Sequence, residues 1–110
     1  MKRKIRTYGG YFERFMATLS EKEQQKIEFG LLLLKTQDRI PSKFVKLIRD
    51  GLYELRTEYM NNIYRVFFIF DKGQIVVLFN GFHKKSQKTP ISEIEKALRI
   101  KEEYYGDKQS

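Results

Sequence analysis

The chain of 110 residues carries 22 Lys and Arg against 14 Asp and Glu, a net charge of +8, with 41% hydrophobic residues and no cysteine. That length suits one domain spanning 1–110. The apolar share excludes a globally disordered chain, and the lack of cysteine excludes a disulfide framework and thiolate chemistry. The charge points to a polyanionic partner, nucleic acid or an acidic protein.

The N-terminus is basic from Met1 to Lys4, but no long apolar run follows it, so neither a signal peptide nor a membrane span is expected. Lys2 to Thr7 fits a short edge strand guarded by lysine, and Gly9-Gly10 breaks it. Phe12, Phe15, Met16 and Leu19 fall at i, i+3, i+4 and i+7 of an amphipathic helix. Ser20 and Glu23 form a capping-box pair that starts a second helix, to about Thr36, with Ile27, Leu31 and Leu34 as its buried stripe. The two helices make a hairpin hinged at Leu19-Ser20.

Arg39 to Ser42 is a break, and Ser42 caps a predicted single helical turn around Phe44 and Val45, with Lys43, Lys46 and Arg49 facing water. Three strand candidates follow: Gly51 to Glu58, Ile63 to Phe70 and Gln74 to Phe82. The short turns at 59–62 and 71–73 force antiparallel neighbours, a three-stranded meander. The middle strand is apolar on both faces, which predicts a central strand covered on both sides. Thr89-Pro90 predicts a C-terminal helix start, threonine as cap and proline at its first position. Ile91, Ile94, Leu98 and Lys101 or Tyr105 would mark its inner face, with residues 106–110 as a frayed tail. The fold class is α+β: two N-terminal helices on a twisted antiparallel sheet, then a C-terminal helix.

One histidine and no cysteine exclude a usual zinc site, and the carboxylates are spaced wrongly for a two-metal centre, so no metal and no cofactor are expected. Arg65 interrupts the most apolar strand. A guanidinium is costly to bury alone, so it must reach a carboxylate (Glu54 or Glu58 on the neighbouring strand), a cleft or a ligand. The 59–62 turn makes pairings near 56–65 or 57–64 plausible, which places Arg56 across from Arg65. The basic loop with His83, Lys84, Lys85 and Lys88 leaves the third strand toward the same end of the sheet. Such a cationic centre suits a phosphodiester. RNA brings its own nucleophile, the 2′-OH, and the protein needs alignment, a base, cations for the transition state and a proton donor. His83 or a crowded lysine would move the protons.

The runs Gly51 to Arg56, Tyr64 to Phe67 and Phe82 to Pro90, followed by a helix, resemble the RelE/ParE toxin superfamily. They resemble most its HigB-type, phage-derived branch of type II toxin–antitoxin systems. The resemblance spans nearly the whole chain and implies a RelE-like, microbial-ribonuclease-type fold. It implies a ribosome-dependent endoribonuclease, an mRNA interferase that cuts translated mRNA without metal by 2′-OH transesterification, leaving a 2′,3′-cyclic phosphate. It implies catalytic roles for Arg65, Arg56, Lys84 and Lys85, with Lys88 among the matching basic residues. From the residues themselves, His83 is expected to join the catalytic set, and Lys88, Lys43, Lys46, Arg49 and Phe82 to form the RNA-binding surface. Typical RelE members carry lysines in the strand before Arg56, where this chain has Leu52 and Glu54, and a tyrosine where it has Pro90-Ile91. Glu54 or His83 would then be the base and Phe82 the stacking platform. The implied partners are mRNA, the ribosome and an antitoxin of helix-turn-helix type. The resemblance also implies contact with DNA only through the antitoxin complex, no membrane partner and a cytoplasmic location. Two alternatives keep this charge: a ParE-like inhibitor of DNA gyrase, and a basic RNA- or ribosome-binding module without catalysis.

Overall fold

The computed structural model describes residues 3–109. Its elements are the strand Lys4–Thr7 (β1), the helices Tyr11–Ala17 (α1) and Glu21–Thr36 (α2), the strands Val45–Arg49 (β2), Leu52–Tyr59 (β3), Asn62–Asp71 (β4) and Ile75–Lys84 (β5), and the helix Ile91–Gln109 (α3). The expected edge strand is β1, although Lys2 lies outside the described residues. The predicted capping box opens α2: Ser20 Oγ accepts from the Glu23 N–H, and the Glu23 carboxylate accepts from the Ser20 N–H.

The sheet order is β1-β5-β4-β3-β2. The meander β3-β4-β5 is antiparallel as expected, but β1 joins β5 in parallel, so the sheet is mixed. The segment expected to form a helical turn makes a turn only at residues 42–44, where the Phe44 N–H donates to the Pro41 carbonyl; from Val45 it is strand β2, paired antiparallel with β3. The signal for it is Asp50-Gly51, where both residues have positive φ (52° and 76°), as a two-residue type I′ hairpin turn requires. Met60-Asn61, at φ 50° and 65°, make the same kind of turn between β3 and β4.

Strand β4 is central, and helices cover both faces. One core joins Leu19, Ile27 and Leu34 to Leu55, Tyr64, Val66, Phe68 and Leu78. The other joins Leu52, Phe67, Ile69, Val77 and Phe79 to Ala97 and Ile100 of α3. Of the expected α3 stripe, Ile94, Leu98 and Tyr105 pack against this core, but Ile91 is exposed, and the fully buried residues are Ala97 and Ile100. The helix also continues through 106–109 rather than fraying at Gly106. Lys108 Nζ donates to Asp71 at 2.7 Å, and the Tyr8 hydroxyl donates to Asp107.

A β-bulge in β5 decides which side chains share a face. Between Val66 and Phe68 β4 advances two positions, while its partner advances three, from Gly81 to Leu78. The extra residue inverts the alternation of β5 beyond Phe79. Phe82, which unbroken alternation would put on the face of Leu78, lies instead under Arg65. Gly81 is required there: a Cβ would sit 2.4 Å from the Phe15 ring and 2.9 Å from the Arg65 carbonyl oxygen. Gly81→Ala is expected to destabilise by about 1–3 kcal/mol through overpacking, measurable as a lower urea midpoint.

Candidate functional site: an arginine pair under a basic loop

The Met60-Asn61 turn sets the register of β3 against β4, and that register places Arg56 directly opposite Arg65, with Thr57 opposite Tyr64. Both expected pairings therefore hold. Alternation puts Glu54, two residues before Arg56, on the same face.

Arg65 is fully buried, and so is Glu54. The Glu54 carboxylate is shared. Its Oε1 accepts from Arg56 Nε at 2.6 Å, its Oε2 lies 3.8 Å from Arg65 Nε, and Oε2 also accepts from the Thr89 hydroxyl at 2.6 Å. Of the two acids expected near Arg65, Glu54 is the one that holds it. Thr89 is thus engaged with Glu54 rather than capping α3, whose first turn closes on the Pro90 carbonyl.

The loop after β5 straps over both arginines. The Ser86 carbonyl accepts from Arg65 Nη2 at 2.6 Å, and the Gln87 carbonyl accepts from Arg56 Nη2 at 2.6 Å. Arg65 Nε and Nη1 have no hydrogen-bond partner. The Arg65 guanidinium lies 5.3 Å from the Phe82 ring centroid, and Phe82 stacks on Phe67. Desolvation lowers the Arg65 pKa from its ordinary value, with the Glu54 charge opposing and the Arg56 charge assisting. The centre is a guanidinium with two buried donors that make no hydrogen bond, held beside a second guanidinium by a single carboxylate.

Three of the expected RNA-binding lysines gather around Arg56. Lys43, Arg56 and Gln87 line a cleft of about 360 Å³. Lys46, Arg56, Lys88 and Thr89 line an adjoining one of about 240 Å³. Lys46 stands opposite Glu54 across the β2–β3 pairing. Lys84 stands opposite Ile63, which alternation puts on the Arg65 face, and both Lys84 and Lys85 are exposed.

Two expected residues are not brought to this centre. His83 stands opposite Tyr64 and stacks on its ring, centroids 5.0 Å apart, on the sheet face covered by α1 and α2. The bulge places it there, so the sheet separates it from Arg65. Arg49 lies three strand positions from Lys46, about 10 Å away, and pairs with Asp50 at 3.8 Å. Glu54, the candidate base, is fully buried with both oxygens engaged, the geometry of a counterion. Residues 86, 87 and 89 were not expected at the site. Their only sequence signal is that they follow the last strand, the region already marked by its lysines.

The His83 face carries its own contact. The Tyr64 hydroxyl donates to Glu23. That bond, with the Ser20 N–H and hydroxyl, holds the Glu23 carboxyl below its usual value, and burial with the Glu23 charge pushes the Tyr64 phenol up to about 12. A depressed carboxyl contributes stability above its unfolded value, near 4.3, and loses it as pH falls through the folded one. A raised phenol contributes below its unfolded value, near 10, and loses it as pH rises toward 12. The stability difference between wild type and Tyr64→Phe is therefore expected to be flat from about pH 5 to 9 and to shrink outside that window. Urea unfolding across the range measures it.

Comparisons with known proteins agree with this architecture. The family described as "Phage derived protein Gp49-like" matches residues 14–102. Proteins described as "Probable endoribonuclease HigB1", from Mycobacterium tuberculosis strains CDC 1551 / Oshkosh and ATCC 25618 / H37Rv, are each 42% identical over 66 residues, covering 57% of this chain and 52% of theirs. The chain thus spans about half the length of these curated relatives. Among solved structures, the archaeal RelE-RelB complex from Pyrococcus horikoshii OT3 has a chain that aligns over its full length with 80% of this one, at a TM-score of 0.52 and 15% identity. The fold is shared with that chain, and the resemblance noted in the sequence is borne out.

Proposed function

This chain belongs to the phage-derived Gp49-like family and has a RelE-type fold, and on that premise we propose that it is the toxin of a type II toxin–antitoxin pair, an endoribonuclease acting on translated mRNA. The observation that carries the reading is the arginine pair. Arg65 keeps two buried donors that make no hydrogen bond, Nε (3.8 Å from Glu54) and Nη1; Arg56 lies directly opposite, and Lys43, Lys46 and Lys88 ring the adjoining clefts. A guanidinium fork matches two phosphate oxygens, and lysines add mobile point charges.

In this mechanism the 2′-OH attacks the adjacent phosphorus, the bond to the 5′-oxygen breaks, and a 2′,3′-cyclic phosphate and a 5′-hydroxyl result. Arg65 and Arg56 stabilise the charge that grows on the equatorial oxygens. Lys84, the last residue of β5, and Lys85 just after it are exposed and would serve the entering and leaving oxygens. Glu54 positions the arginines. The Ser86 and Gln87 carbonyls occupy the fork in the free protein, so RNA entry requires the 85–89 loop to yield its two bonds to phosphate. The family and the RelE-RelB neighbour support an antitoxin partner, and acidic groups on that partner would neutralise the basic clefts. Action on translated mRNA places the protein in the cytoplasm.

The test is a reconstituted translation reaction in which cuts are mapped by primer extension. Cuts inside the message only when ribosomes are present support the reading. Intact message together with inhibition of supercoiling would transfer it to gyrase, and salt-dependent RNA binding without cuts would reduce it to a binding module.

A further inference from the structure

On the opposite edge of the sheet from β2, strand β1 covers only part of β5. The parallel pairing runs from Ile75 to Leu78, and the chain then turns away through Gly9-Gly10 into α1. From Phe79 onward, that edge of β5 carries no strand among the described residues. A cleft of about 320 Å³ lies here between α1 and α3, with the bulge of β5 at its floor. Asn80 lines it. This side chain is 2% exposed, yet neither its Nδ2 nor its Oδ1 has a hydrogen-bond partner. A buried amide left unpaired on both atoms is costly and calls for a missing group. Arg14 and Lys96 stand at the rim, both exposed, and Thr18 also lines the cleft, its hydroxyl donating to the Phe15 carbonyl at 2.7 Å.

We propose that this cleft is a receptor for an extended, acidic segment of a protein partner. A peptide unit presents one donor and one acceptor, the complement of the Asn80 carboxamide. A neighbouring Asp or Glu side chain would meet Arg14 and Lys96, and an extended segment suits a sheet edge that lacks a strand. A nucleobase is favoured less, because the aromatic rings here are already committed. The Arg14 guanidinium covers Tyr11 at 5.0 Å, and the Phe15 ring lies against Gly81. No side chain of the Arg65 centre lines the cleft, so this inference stands or falls apart from the ribonuclease reading.

The experiment is an NMR titration of the ¹⁵N-labelled full chain with an acetylated, amidated peptide of three Asp-Val repeats. The Asn80 side-chain NH₂ signals are expected to move saturably, along with the Gly81 and Lys96 amides. The matching Ser-Val peptide is expected to bind about tenfold more weakly, the effect of one charge-assisted contact. Asn80→Leu should abolish the response without lowering Tm, since leucine removes both unpaired atoms at similar size. Lys96→Glu, on an exposed helix position, should weaken it without touching the cleft floor. The proposal is overturned if the Asn80 signals stay still, if Ser-Val and Asp-Val bind alike, or if a single-stranded oligoribonucleotide moves them and the peptide does not.

Discussion

Arg65→Ala is expected to lower mRNA cleavage by at least about 10²- to 10³-fold, the usual loss when one preorganised donor to a developing oxyanion is removed. Growth arrest on induction should vanish with it. The fold should survive, because Glu54 keeps Arg56 at 2.6 Å and Thr89 at 2.6 Å, so no buried charge is stranded. Arg65→Lys is the sharper control. It retains the charge but not the fork, and a lysine cannot hold two phosphate oxygens in one plane as guanidinium does. Its activity should stay close to that of the alanine variant. Matched thermal melts separate lost chemistry from lost structure, and undiminished toxicity of a folded Arg65→Ala protein would remove the proposed centre altogether.

Glu54→Ala is expected to have the largest effect on stability. It strands the fully buried Arg65 beside Arg56, with no anion between two guanidinium groups in opposed register. Removing one partner of a buried ion pair costs about 3–5 kcal/mol, a large share of the 5–15 kcal/mol typical of a domain. At roughly 4–8 °C per kcal/mol for a domain near this size, Tm should fall by at least about 12 °C. The asymmetry is the test. Glu54→Leu combined with Arg65→Met replaces the pair with apolar groups of similar bulk and should regain most of the loss, since such swaps are often neutral. That double variant should be stable and inactive. A Glu54→Ala protein as stable as wild type would show that Glu54 is no counterion.

The arginine pair also explains why the strap matters. The carbonyls of Ser86 and Gln87 satisfy one donor of each arginine, and carbonyls are weaker partners for a cation than phosphate oxygens are. In the proposed reaction, phosphate oxygens would displace the carbonyls that hold the two guanidinium groups in shape in the free protein.

Periodicity and turn chemistry determined much of this molecule. The Ser20–Glu23 capping box, the two-faced apolar run of β4 and the short turns gave the helices, the central strand and the antiparallel meander, because each is a local property of contiguous residues. The Arg56–Arg65 juxtaposition was legible for the same reason: a tight turn fixes register. The edge strand β2 was missed, although Asp50-Gly51 announced it, since five residues with mixed apolar spacing fit a helical turn as well as a strand. Only the tertiary structure decided which side of the sheet each group of β5 serves. One extra residue at the bulge sends His83 to the Tyr64 face and brings Phe82 under Arg65. Gly81 inside the strand is the one sequence hint of a bulge, but only the pairing of β5 with β4 shows that an extra residue lies between Leu78 and Gly81.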